Sequence, residues 1–187
     1  INAEAYADIT ISNRDDIILS GSSGDGYARS GYYPNYIYVT GDFTGTGINA
    51  ESDIGSISVS NSGDISIVDL NENGGLAGGY QSGDRLTGIV AKTVLGDSTI
   101  VNSGDITLTG GEMSYGLVAT TDSKKYYYQC PPPYDNGYYV CYNNVGGGDA
   151  TVVNSGDITI SVGIEQEFAF SYGVGIAVGT GKYGGNA

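Results

Sequence analysis

The sequence predicts an all-β fold, a parallel β-solenoid of about four coils carrying long loop insertions. Three observations predict it: a phrase written four times, strict alternation of apolar and polar residues through every copy, and no helical periodicity in a chain with 32 glycines. The phrase is VNSGDIT at Val101–Thr107 and at Val153–Thr159, and SNSGDIS at Ser60–Ser66; a degraded copy, SNRDDII, stands at Ser12–Ile18. The copies lie 48, 41 and 52 residues apart. Recurrence at such periods is the mark of a repeat architecture.

Each copy reads as strand, bend, strand. Counting outward in twos from the asparagines gives Ile9, Ile11, Asn13, Asp15, Ile17 and Leu19 in the first, and Ile57, Val59, Asn61, Gly63, Ile65 and Ile67 in the second. The third gives Ile100, Asn102, Gly104, Ile106 and Leu108, the fourth Val152, Asn154, Gly156, Ile158 and Ile160. Period-two alternation places one face of each strand inside. The Asn–x–Gly pair interrupts it where a bend is expected, with glycine, or Asp15 in its place, supplying a positive φ. A shorter phrase recurs between the copies: Ile1–Glu4, Gly47–Glu51, Gly88–Lys92, Gly116–Thr120 and Gly175–Gly179. It predicts a third strand per coil.

The asparagines acquire a role in such a stack. Coils about 4.8 Å apart bring Asn13, Asn61, Asn102 and Asn154 into one file, where each amide bonds to its copies above and below. The alternative is that they are exposed turn residues; the isoleucines on both sides at the same parity argue for the file. The skeleton resembles the passenger-region repeats of Gram-negative autotransporter and haemagglutinin-like surface proteins, at Thr99–Leu108, Tyr115–Thr120 and Thr151–Ile160 and more loosely at Gly47–Ile67. That resemblance implies a right-handed parallel β-helix, exported and displayed, and implies little about activity, because such scaffolds carry many functions.

Charge narrows the partners. The chain has 21 acidic and seven basic residues, no histidine and a formal charge of −14. Phosphate binding depends on Lys and Arg, so nucleic acid and anionic membranes are disfavoured. No apolar run is long enough to span a bilayer. Residue 1 aligns with the middle of a coil, so both ends are expected to continue into further solenoid coils, or to stack head to tail on copies of the chain.

The chain is read as one segment, 1–187, with insertions at 21–46, 70–87 and 121–148 and a shorter one at 162–171. Two of them hold Tyr27, Tyr32, Tyr33, Tyr36 and Tyr38, and Tyr126, Tyr127, Tyr128, Tyr134, Tyr138, Tyr139 and Tyr142. Tyrosine offers a flat apolar face and a hydroxyl at low entropic cost, which suits contacts to glycans or to proteins of a host or cell surface; it equally suits packing of a loop on its own scaffold. Cys130 and Cys141 bracket an Asn136–Gly137 turn signal and read as a disulfide-closed hairpin, worth roughly 2–3 kcal/mol and fitting an extracellular location.

Catalysis is not expected. Without histidine, serine and cysteine triads are excluded within the chain. GDST at Gly96–Thr99 lacks a base, GTGKY at Gly179–Tyr183 lacks phosphate-loop spacing, and Asp15–Asp16 belongs to the bend. No cofactor is expected. Calcium is the one ion admitted: Asp69, Asn71 and Asn73 have the alternate spacing of a calcium loop, but its closing glutamate is missing, and a polar turn around Asn73–Gly74 is favoured. The reading is a non-enzymatic, extracellular stalk, adhesin or fibre. A carbohydrate-binding or carbohydrate-active β-helix is the alternative.

Overall fold

The computed structural model describes residues 1–21, 26–29, 36–39, 44–70, 85–111, 113–129, 140–162, 172–181 and 186–187. Its strands, in chain order, are β1 (Asn2–Ala5), β2 (Ile9–Asn13), β3 (Ile17–Gly21), β4 (Gly26–Arg29), β5 (Tyr36–Val39), β6 (Thr44–Ser52), β7 (Ile57–Asn61), β8 (Ile65–Asp69), β9 (Arg85–Thr93), β10 (Ser98–Asn102), β11 (Ile106–Thr109), β12 (Met113–Thr121), β13 (Lys124–Gln129), β14 (Val140–Val145), β15 (Ala150–Asn154), β16 (Ile158–Ser161) and β17 (Tyr172–Gly179). Thirteen of them build three parallel sheets. The first has the order β1-β6-β9-β12-β17, the second β15-β10-β7-β2, and the third β16-β11-β8-β3. One strand from each sheet, taken in chain order, makes a unit, and the chain runs through four units before β17 returns to the first sheet.

Equivalent residues stand on one another. Ile11, Val59, Ile100 and Val152 form one column of the second sheet. In the third, Ile17, Ile65, Ile106 and Ile158 form another. Ala3, Ala50, Ala91, Ala119 and Val178 do the same in the first. The inward faces make one core in which Ile48, Val59, Ile67, Ile89, Ile100, Ile106, Leu108 and Leu117 have no exposed surface. Burying such a side chain stabilises by about 1.5–3 kcal/mol. One-residue slippage would turn every column outward, so the alternation fixes the register.

The strands of the first sheet are longer than the repeated phrase predicts. They begin three residues earlier, at Thr44 and Arg85, so the ends of two insertions belong to the ladder. The phrase conceals this because those residues do not recur between the two strands, apart from Thr46 and Thr87. A Cβ on Gly47 would lie 2.7 Å from the Gly88 oxygen, and one on Gly88 would lie 2.5 Å from the Gly116 oxygen. The backbones are simply too close for a side chain.

The bend glycines need a correction of the same kind. Among the described glycines, positive φ occurs at Gly110 and Gly111, between the third and fourth units, and not at Gly63, Gly104 or Gly156. What excludes a side chain at those three is the neighbouring bend: a Cβ would overlap the carbonyl of Asp15, Gly63 or Gly104 in the unit before. Stacking selects glycine there, rather than handedness of the backbone.

Two insertions form antiparallel hairpins of their own. β4 pairs with β5 from Gly26↔Val39 to Arg29↔Tyr36, and β13 with β14 from Lys124↔Val145 to Gln129↔Val140. Among the described residues, no helix is long and apolar enough to cross a membrane.

Candidate functional site

Three polar files run along the stack. In the first, Asn13 Nδ2 donates to Asn61 Oδ1 at 2.8 Å, Asn61 to Asn102 at 2.7 Å, and Asn102 to Asn154 at 2.8 Å. The same amides close their own bends, donating to the carbonyls of Asp15, Gly63, Gly104 and Gly156 at 2.6–2.7 Å. Asn61 and Asn102 are each 1% exposed. Burial is tolerated because both amide protons and the oxygen have partners.

The second file lies at the other turn, between the first and second sheets. Ser52, Thr93 and Thr121 stand in register, buried. Ser52 Oγ donates to the Ala7 carbonyl and Thr93 Oγ1 to that of Gly55, while the Gly55 and Gly96 amides donate back to Ser52 and Thr93. Ser52 and Thr93 thus stitch their turns to the one before, whereas Thr121 Oγ1 donates to the Gly148 carbonyl of its own turn at 2.8 Å. Sequence reasoning missed this file. Its signal was a hydroxyl two residues after the alanine of Ala50, Ala91 and Ala119.

The third file is exposed and anionic. Asp16, Asp64 and Asp105 each accept, through Oδ1, the backbone N–H of the aspartate one unit on, at 2.8–3.0 Å. Asp8, Asp97 and Asp149 do the same at the other corner for Ser56, Asp149 and Asn186. A charged acceptor strengthens such a bond, while carboxylates stacked directly opposite one another repel.

The outer face of the first sheet carries an aromatic cluster that sequence reasoning also missed. Tyr115 and Tyr172 meet edge to face with centroids 5.8 Å apart, their hydroxyls 2.6 Å apart. The Arg85 guanidinium sits 5.0 Å above the Tyr115 ring, and Tyr172 donates to the Met113 sulfur at 3.4 Å. The bond from Tyr172, then desolvation, raises the Tyr115 pKa above 10.0, against the pull of Arg85. The signal was SYG, written at Ser114–Gly116 and Ser171–Gly173. On the same sheet, past its alanine column, a shallow cleft is lined by Glu4, Tyr6, Glu51, Asp53, Lys92 and Val94. Glu4, Glu51 and Lys92 are register neighbours.

The residues singled out from sequence are distributed as follows. The four asparagines are brought together. In backbone register Tyr27 pairs with Tyr38 and Tyr36 with Arg29 in β4–β5, and Tyr126, Tyr127 and Tyr128 pair with Asn143, Tyr142 and Cys141 in β13–β14. Tyr32, Tyr33, Tyr134, Tyr138 and Tyr139 lie outside the described residues, and so does Cys130, the expected disulfide partner of Cys141. Asp69 ends β8 and is buried, while Asn71 and Asn73 lie outside the described residues. Ser98 of the GDST sequence is wholly buried and donates to the Ala91 carbonyl at 2.7 Å, which accounts for it structurally.

In comparisons with known proteins, no family model, no curated protein and no solved structure matches the chain.

Proposed function

We propose that the chain is a segment of right-handed parallel β-helix that serves as a non-enzymatic, extracellular structural or adhesive scaffold, in a surface stalk, adhesin or fibre. The observation that carries this reading is the stack of equivalent units, joined by continuous polar files, from which tyrosine-rich hairpins depart. A stack of this kind adds length at constant cross-section, and its hairpins supply contacts without disturbing the core. The NSGDI phrases support the kinship with autotransporter and haemagglutinin-like passenger regions, and with it display at the cell surface. In this reading the β13–β14 hairpin is closed by Cys130–Cys141, further solenoid units continue the stack, and no cofactor takes part.

The test is binding to immobilised neutral and acidic oligosaccharides and to intact cells. It compares the whole chain with variants in which 22–43 or 124–145 is replaced by a short Gly-Ser turn. Binding should fall with the hairpins while the β signal in circular dichroism stays. Equal binding by the hairpin-less variants would sink the contact assignment. The cleft at Glu4 and Glu51 favours the alternative, a carbohydrate-active β-helix, since paired carboxylates flank the scissile bond in glycoside hydrolysis. Release of new reducing ends from soluble polysaccharides, abolished in Glu51→Gln, would replace the first reading with the second.

A further inference from the structure

The two ends of the stack are not equivalent, and the difference sits in two side chains. At the turn between the first and second sheets, Ala7, Gly55, Gly96 and Gly148 each stand two residues before the second-sheet strand, Ala7 in a turn one residue shorter than those of the second and third units; at the bend between the second and third, Asp15, Gly63, Gly104 and Gly156 correspond. A Cβ built on any of the six glycines would come within 3.0 Å of the preceding unit's backbone: Ala7 for Gly55, Gly55 for Gly96, Gly96 for Gly148, Asp15 for Gly63, Gly63 for Gly104, and Gly104 for Gly156. Real Cβ atoms do not approach backbone so closely. At every one of these places the bond to Cβ therefore points back along the stack, at the carbonyls of the unit before.

The first unit alone carries real side chains there. Both Ala7 and Asp15 are exposed. We propose that Ala7 and Asp15 close this end of the stack to any further unit in the common register, so that stacking on this scaffold runs one way. A unit laid on the first would bring two backbone carbonyls onto two carbon atoms, at both corners at once. Relief by local movement would break the Asn13 file and the backbone ladder together, because both corners lie within two residues of paired strands. The Asp15 carboxylate adds charge beside Asp16 at the place where the new bend would sit.

The opposite end is built to receive. Asp149 Oδ1 already accepts the Asn186 amide at 2.6 Å, and the Asn186 carbonyl accepts the Ala150 amide at 2.9 Å. Asp157 and the Gly156 carbonyl repeat the arrangement that Asp105 and Gly104 use to hold the fourth unit. The partner that fits is a parallel β unit with glycine at both corners. Two copies of this chain cannot meet head to tail in register, since one of the two faces would be the closed one. Exposed strand edges otherwise invite such pairing, and proteins blunt them with inconvenient side chains. The argument uses only the geometry of the stacked corners and holds whichever function the scaffold serves.

A grafted unit tests it. Residues 85–116 form one unit without a long insertion, and they end on Gly116, which precedes Leu117 as Gly47 precedes Ile48. A second copy of 85–116 is placed directly before Ile1 in two backgrounds, the native one and Ala7→Gly with Asp15→Gly. Hydrogen exchange then reads whether the grafted Asn102-equivalent strand is protected. Expected is protection at least 100-fold greater in the glycine background, with a higher thermal midpoint, and prompt proteolysis of the graft in the native background. The glycine pair without a graft serves as control and should unfold close to the native chain, because both side chains are exposed. A graft protected equally in both backgrounds would overturn the proposal. A graft protected in neither would overturn the assignment to these two residues.

Discussion

Asn102 and Asp105 stand three residues apart in one phrase, and each ties its unit to the next by a side-chain hydrogen bond of nearly the same length, 2.8 Å in both cases. The asparagine is buried and the aspartate lies in water. Geometry alone would rate the two bonds alike. Burial separates them, because a group left unpaired in the core has no water to turn to, whereas the amide facing Asp105 has. The interior file therefore fixes the register, and the exterior file adjusts solubility and repulsion at little cost in stability.

Removing a member of each file sharpens that contrast, and the interior one comes first. Asn102→Ala takes one of two acceptors from Asn61 Nδ2 and removes a donor from the Gly104 carbonyl and from Asn154 Oδ1. At roughly 1–3 kcal/mol for each buried group, the loss should be about 3–5 kcal/mol. Urea unfolding measures it, and a loss below about 1 kcal/mol would mean that the file is solvated. Gly104→Ala comes next. Its methyl group has to displace the Gly63 carbonyl, so two units must part locally, at about 1–3 kcal/mol as for other overpacked sites.

The exterior file should respond to charge rather than to the bond. Asp105→Ala loses an exposed acceptor and is expected to cost about 1 kcal/mol or less. Asp105→Asn keeps an acceptor and relieves repulsion from Asp64 and Asp157 one unit away on each side. It should equal or exceed the native stability at low salt, and added salt should shrink the difference as the Debye length falls to about 10 Å at 0.1 M. An Asp105→Asn chain weaker than Asp105→Ala would break this account.

The same contrast explains what the residues disclosed in advance. The asparagine file was legible because burial demands one residue type at one parity, so Asn13, Asn61, Asn102 and Asn154 recur with isoleucine around them. The hydroxyl file was hidden because serine and threonine serve alike and unit one has Ala5 in the same place. The bend glycines were seen but misread: glycine answers equally to a positive φ and to a close neighbour, and only the stacked bends decide between them. Asp15 reads as a substitute for glycine on conformational grounds, whereas at Gly63, Gly104 and Gly156 it is the bend before that excludes a side chain. The Arg85–Tyr115–Tyr172 cluster escaped because its SYG phrases are two residues out of step: Tyr172 stands beside Met113, and Tyr115 beside Val174.

That cluster gives the smallest effect, and pH separates it from the rest. Tyr172 bonds the Tyr115 hydroxyl and raises its pKa above the ordinary 10.0. The folded chain thus favours the protonated phenol more than the unfolded chain does. The sign follows: the contribution to stability is complete below pH 10 and is lost as pH rises through the higher folded value. Tyr115→Phe removes the bond and leaves the ring, so the edge-to-face contact and the Arg85 stacking survive in part. At pH 7 the variant should be weaker by at most about 1 kcal/mol, at the low end for an exposed hydroxyl. Above pH 10 the gap between the two chains should close, since the native phenol is by then ionising and losing the same bond. Paired urea titrations at pH 7 and above pH 10 read the gap directly. A gap that stayed constant across that range would show that ionisation of Tyr115 does not cost the folded chain its bond to Tyr172, and would overturn the link between this pair and pH.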